Sequence, residues 1–415
     1  MGGRIGDRKR GHDLTQSSFW RLHGRTALLI GAVISLLGAW VFGLLNLKTD
    51  VAIYLQDVVP KATAFELITS KPSDGEYLYS ATSNGTQIGY VTAGKGQGYG
   101  GPMVVMVAWT LDGTITNVQV PELKETPVWY GRLSKPIGDF PNYFSQYIGR
   151  KFSDPFTLGT DINAATGATR SSTGVAQGVY SGRLLLAEQL GKPFVGPAQQ
   201  LKIGKEEIFL ILALALVVAF RMVPGLKQKR WPRYVMLIFG LAVFGVWLSA
   251  MLSLINFVVF PIGYAPSMFT NPFLYILVFG ILALALAVGK NFWCFWICPF
   301  AALQEGVHFL GGSQARPVSR LQLALRNSRY VILWAAVMLV FIFRQPQLAV
   351  FEPWNTVFSL QGNLSQWILL AATLGIGLFI YNFWCHYLCP VGATMDIVLK
   401  IRTWAVNTYG RLTAR

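Results

Sequence analysis

Residues 291–299 read NFWCFWICP, and residues 382–390 read NFWCHYLCP. Asn, Phe, Trp, Cys, a three-residue gap, Cys and Pro recur in register, 91 positions apart (382 minus 291). The chain has four cysteines and these copies hold them all: Cys294, Cys298, Cys385 and Cys389. On a helix, a three-residue gap sets two side chains at i and i+4, on one face and roughly 5–6 Å apart. Two such pairs brought together offer four thiolates to one site. That donor set suits an iron–sulfur cluster, a single tetrahedral iron or zinc. The competing reading is small apolar residues packed in membrane helices. It accounts for a lone pair, but not for a duplication that includes Asn, Trp and Pro and leaves no cysteine over. A disulfide within either motif fits regular helix geometry poorly, whereas one between the repeats stays open.

Outward from the motifs, the apolar fraction of 53% against 13% charged residues points to a membrane protein. A basic tail (1–25) precedes a hydrophobic stretch at 26–47, long enough to span a bilayer. Its apolar run is longer than a signal-peptide core and no small-residue cleavage site follows, so it reads as a retained helix. Five further apolar segments lie at 206–223, 234–260, 272–289, 330–343 and 365–384, within a membrane core of 205–400 that leads to a tail at 401–415. The net charge of +16 is gathered in alternate connections. The first tail carries six Lys or Arg, the loops at 221–233 and 290–329 five each, and the segment from Lys400 onward four. The loop near 257–271 has none and that near 344–364 only Arg344. By the positive-inside rule six helices put both termini, and both cysteine motifs at their helix ends, in the cytoplasm. The expected fold is thus a polytopic α-helical membrane protein of about six transmembrane helices in a bacterial inner membrane. Its inserted α+β domain at 48–204 lies outside, in the periplasm.

That inserted segment is Gly-rich, with alternating runs such as TQIGYVTAG (86–94) and a hairpin signal at Asp112-Gly113. Residues 161–175 read DINAATGATRSSTGV, ahead of a helical pattern expected at 175–191. Small residues and hydroxyls at a loop-to-helix junction suit phosphate, because helix N-terminal amides face the anion and Arg170 adds charge. An ordinary N-cap at Ser172 or Thr173 is the plainer alternative.

Thr166-Gly167-Ala168-Thr169 resembles the S/T-G-A-T signature of the FMN-binding domain family, found in flavin subunits of sodium-pumping NADH:quinone reductase and of the Rnf complex. The likeness covers about 76–190 and includes GYGGPM (98–103) and KETP (124–127). It implies FMN joined by a phosphoester to Thr169 by a separate flavin transferase. Thr166, Gly167, Ala168, Arg170, Ser171 and Ser172 would lie around the cofactor, with Glu125 and Thr126 as weaker contacts. The membrane half is similar to NosR/NirI-type proteins and NapH-like quinol dehydrogenase subunits, whose paired C-x3-C-P motifs end helices. NosR proteins typically continue into a cytoplasmic domain with two ferredoxin-type cysteine motifs. None follows here before Arg415, so the role of that domain is expected to fall to a partner.

Together these imply a membrane electron-transfer flavoprotein with covalent FMN and an iron–sulfur or mononuclear iron centre on four Cys. It would connect a cytoplasmic or quinone-side donor with a periplasmic acceptor, as a subunit of a larger redox complex and without catalytic residues of its own. A NosR-like accessory, maturation or regulatory role for a periplasmic metalloenzyme is the alternative. Membrane lipid, other subunits and quinone are the expected partners. Nucleic acid is not, for no basic face carries interleaved aromatics. The four histidines, two of them in the basic tail, leave no bis-histidine haem site. The hydrocarbon core is about 30 Å thick, so a centre at one face and a flavin beyond the other need a bridge.

Overall fold

The computed structural model describes residues 7–46, 51–71, 75–98, 102–123, 131–166, 168–192, 201, 203–227, 229–269, 271–311, 325–360 and 362–413. The chain begins with helix α1 (Asp7–Leu45). A five-stranded antiparallel meander follows: β1 (Ala64–Lys71), β2 (Glu76–Ser83), β3 (Thr86–Gln97), β4 (Pro102–Trp109) and β5 (Ile115–Leu123). Helix α2 (Thr169–Gln189) lies across β3 and β4. Both faces of β4 are covered. Val105 and Val107 pack with Val175 and Val179 of α2, while Met106 and Ala108 pack with Leu55 and Val58 of the segment before β1. The Asp112-Gly113 turn joins β4 to β5, with Gly113 at φ 80°. An α+β unit is expected in this part of the chain, and its strands and long helix span Ala64 to Gln189.

Helix α2 starts six residues before the expected 175 (175 minus 169). Its glycines explain the difference. Gly174, Gly178 and Gly182, four apart, form a flat stripe that lies on β3, where Gly94 and Gly96 meet it. A Cβ at Gly96 would run into the Gly174 carbonyl, and one at Gly178 into Val105. These glycines look like loop in the sequence and act as a close-approach face in a helix.

The second unit is helical: α3 (Lys205–Met222), α4 (Trp231–Trp247), α5 (Pro272–Val288), α6 (Pro299–Gly311), α7 (Ser328–Phe343), α8 (Leu364–Gly377) and α9 (Pro390–Thr413). Helix α1 packs on α7, where Trp334 Nε1 donates to Ser35 Oγ at 3.0 Å. Among the described residues one helical stretch, Thr26–Leu45, is both long and apolar enough to cross a bilayer. Helices α4, α5, α7 and α8 are apolar but shorter.

Two of the expected spans are broken. The run 234–260 stops at Trp247, with Ser249 at φ 47°. A short helix, Leu254–Val258, restarts behind a Ser253–Asn256 capping box. The run 365–384 ends its helix at Gly377 and turns at Asn382, φ 48°, a left-handed conformation that Asn tolerates. Continuous hydropathy does not register breaks made by capping side chains. Arg344, the lone basic residue of its loop, is buried, donating to the Ile262 carbonyl and lying over the Tyr264 ring.

Candidate functional site

The cysteine motifs do not form the continuous helix turn that the spacing suggests. In the first copy a short turn, Trp293–Ile297, carries Cys294, and the helix breaks at Cys298 (φ −56°, ψ 117°) before Pro299 opens α6. In the second, Phe383–Tyr387 carries Cys385, and Cys389 precedes Pro390, which opens α9. Proline explains the break. It disfavours a helical conformation in the residue before it and is well placed at a first helical position. Cys298 and Cys389 therefore stand as N-caps, and the carbonyl of each accepts from its helix (Ala302 N–H at 3.1 Å, Ala393 N–H at 3.2 Å). The Gly392 amide donates to Cys389 Sγ at 3.3 Å, and the Phe300 and Ala301 amides bear on Cys298. These amides are donors that a sulfur ligand at a helix start can accept from.

All four thiols line one cavity of about 810 Å³, and Cys385 is within electrostatic reach of the other three. Among the described residues no three His, Cys, Asp or Glu side chains close on one point as ligands of a single ion do. The thiols are spread around a volume instead. Trp354 and Trp384 line the same cavity, buried and packed edge to face, and neither indole N–H has a partner among the described residues. Four thiols with unpartnered donors beside them fit an anionic group with sulfur acceptors. Seven basic residues also line this cavity (Arg221, Lys229, Arg230, Arg233, Lys290, Arg326 and Arg329), with Glu305 and Asp396 as ion-pair partners of Arg233 and Arg329.

The helix starts that carry the cysteines lie inside the helical unit. Beyond α5 the chain turns back into the helical unit, so that Ile297 meets Gly240, and Pro299 meets Gly245, two residues from the far end of α4. From the opposite side the segment Trp354–Ser359 dips inward, placing Phe358 on Gly245 and Trp354 on Phe300. The cysteines thus lie where two inward-turning segments meet.

In the α+β unit, Ala168 is the N-cap of α2, without a side-chain cap, where Ser172 or Thr173 was the expected alternative. Thr166 is exposed, and its carbonyl accepts from Arg132 Nη1 at 3.2 Å. Ser171 and Ser172 are buried, and Ser172 Oγ accepts from the Ala165 N–H at 3.0 Å, tying the loop to the helix. Behind this start, Tyr143 OH donates to the Ser172 carbonyl and contacts Tyr147 OH, both at 2.8 Å. Burial pushes both phenols up, so they remain protonated donors. Asp161 holds the incoming loop through Arg150 (3.1 Å) and the Phe156 and Thr157 amides. Thr169 and Arg170 are described through their backbone, as the first residues of α2; Gly167, Glu125 and Thr126 lie outside the described residues.

A second cavity, of about 790 Å³, lies between the two units. Gln97, Gly98, Thr173 and Gln177 line it from the α+β side, and Ser249, Met251, Ser253, Asn256 and Asn271 are among those from the helical side. Nothing in the spacing of these last residues marks them. Only the break after Trp247 brings them here.

Comparison with known proteins agrees with both units. Residues 98–182 match the FMN-binding domain, and residues 270–317 and 364–407, one stretch per cysteine motif, match the 4Fe-4S binding domain. The chain is similar to Protein NirI of Paracoccus denitrificans, 33% identical over 39% of this chain and 26% of the relative. It is similar to Regulatory protein NosR of Pseudomonas aeruginosa, 31% identical over 46% of this chain and 29% of the relative. A component of the Na(+)-translocating ferredoxin:NAD(+) oxidoreductase complex of Acetobacterium woodii is 29% identical over 32% of this chain and 72% of its own length. The matches thus span between a quarter and a third of NirI and NosR.

Proposed function

We propose that this chain, a flavoprotein of the NosR/NirI type, is a polytopic inner-membrane electron carrier in which flavin and iron–sulfur centre exchange electrons directly. Thr169 would hold FMN as a phosphoester, and Cys294, Cys298, Cys385 and Cys389 a 4Fe-4S cluster. FMN supplies one- and two-electron exchange. Thr166 to Ser172 would surround its phosphate, and Gln97, Gly98 and Gln177 offer polar contacts on the cavity between the units. Exposed apolar residues on α1, α4, α7 and α8 (Ile34, Ile238, Val331, Ile368) suit lipid contact. The domain limits given for the sequence, with the α+β unit in the periplasm and both termini in the cytoplasm, belong to this reading. So do attachment by a flavin transferase, quinone as an exchange partner and assembly with other redox subunits.

The observation that carries the reading is the wall between the cavities. Leu252 lines the thiol cavity, while Met251 and Ser253, on either side of it, line the outer one. On this reading the electron step crosses this wall and not the bilayer thickness of about 30 Å. The test has two parts. In-gel flavin fluorescence after denaturing electrophoresis should show a band that Thr169→Ala removes. Freeze-quench electron paramagnetic resonance should then show the iron signal appearing when the flavin is reduced. A dark wild-type band from a flavinylating host rules out covalent FMN. A regulatory role is what the name of the relative NosR suggests, and metal-dependent binding to a partner without turnover would favour it.

A further inference from the structure

We infer that Glu352 is a proton-binding residue of the electron route, taking up one proton for each electron that reaches the thiol-held centre. The inference rests on the function proposed above. Glu352 is fully buried in the segment that dips inward after α7. Its Oε1 accepts from the Leu254 amide at 2.9 Å, and the Ser253 hydroxyl bonds to the same carboxyl. Its Oε2 has no partner among the described residues. The residues that hold it belong to the wall, since Ser253 lines the outer cavity and Leu252 the thiol cavity. On the inner side, Cys298 and Cys389 are within electrostatic reach. Among the described residues Glu352 forms no ion pair, and Arg344, on its own segment, is turned to the Ile262 carbonyl.

A buried carboxyl held by two neutral donors, with a free oxygen and no cation, can exist as acid or anion, and a nearby charge decides between them. An electron added to a buried centre is such a charge. As the electron supplied by the reduced flavin arrives, Glu352 Oε2 takes a proton from a hydronium ion entering by the Ser253 side. The hydronium O–H bond breaks to leave water while the Glu352 O–H bond forms. That bond breaks when the electron leaves, so the local charge is conserved.

The test is a redox titration of the purified full-length chain in detergent, followed by electron paramagnetic resonance at several pH values. The midpoint of the wild type should fall by about 59 mV for each tenfold drop in proton concentration wherever Glu352 changes occupancy, and Glu352→Gln should flatten that slope. Reduced-minus-oxidised infrared spectra should show a carboxylic acid band on reduction that Glu352→Gln removes and Glu352→Asp displaces. A pH-independent wild-type midpoint, a slope kept in Glu352→Gln, or a band unmoved in Glu352→Asp overturns the inference. The aspartate variant gives the answer if the glutamine variant does not fold. A chain with no iron signal at all overturns the underlying function instead, and this inference with it.

Discussion

Leu252 and Ser253 are consecutive in the chain and line different cavities, the first the thiol cavity and the second the one between the units. An extended backbone alternates its side chains, so one unwound residue pair makes a two-sided wall. The break after Trp247 is what brings the cavities together.

Each cysteine should be needed for the metal. Replacing Cys298 or Cys389 by Ser leaves the helix start capped yet removes a thiolate, and the Cys294 and Cys385 variants test the other two. Iron and acid-labile sulfide per chain should fall to background in all four, with the flavin band unchanged.

The unpartnered indole donors should tune the site. Trp354→Phe and Trp384→Phe keep the ring packing and remove an N–H beside the thiols. Losing a donor to the reduced, more anionic form should lower the midpoint potential by on the order of 40 mV, the equivalent of about 1 kcal/mol. Titration followed by electron paramagnetic resonance reads this. An unchanged midpoint in both variants would show that the donors do not reach the centre.

The glycine stripe should be intolerant. Gly96→Ala has to lift α2 off β3, and overpacking of this kind costs roughly 1–3 kcal/mol. Calorimetry of the whole chain should show the transition of the α+β unit moved down. Gly31→Ala, where a Cβ meets nothing within 4 Å, should leave the scan unchanged.

Asp112 gives a pH dependence with a definite sign. Hydroxyls of Thr110 and Thr114 hold its carboxyl below the ordinary carboxylate range. A depressed folded value gives stability that is present above the unfolded value of about 3.9 and is lost as pH falls through the folded one. Asp112→Asn should flatten that acid limb of the unfolding curve.

Much of this was legible in the residues. The in-register Cys and Pro marked the two stretches that match the 4Fe-4S binding domain. Residues 161–175 marked a loop-to-helix junction, although the helix, expected from 175, starts at Thr169. The same spacing misled about helix continuity, because Pro299 and Pro390 end the turn that the three-residue gap suggests. Gly174 and Gly178 signal flexibility until β3 supplies a surface for them to lie on. Glu352 sits in a stretch that charge counting assigns to an outer loop. Its burial depends on Trp354 and Phe358 packing inward, and no local pattern encodes that.

The helices around the motifs are exchanged between the repeats. Helix α9, which follows the second motif, packs on α5, which precedes the first; α6, which follows the first, packs on α8, which precedes the second. Arg402 of α9 even closes the end of α5, donating to the Leu286 and Ala287 carbonyls. One copy alone would supply two thiols and leave two helix faces bare. Neither repeat is therefore complete alone: each motif's flanking helices are covered by those of the other.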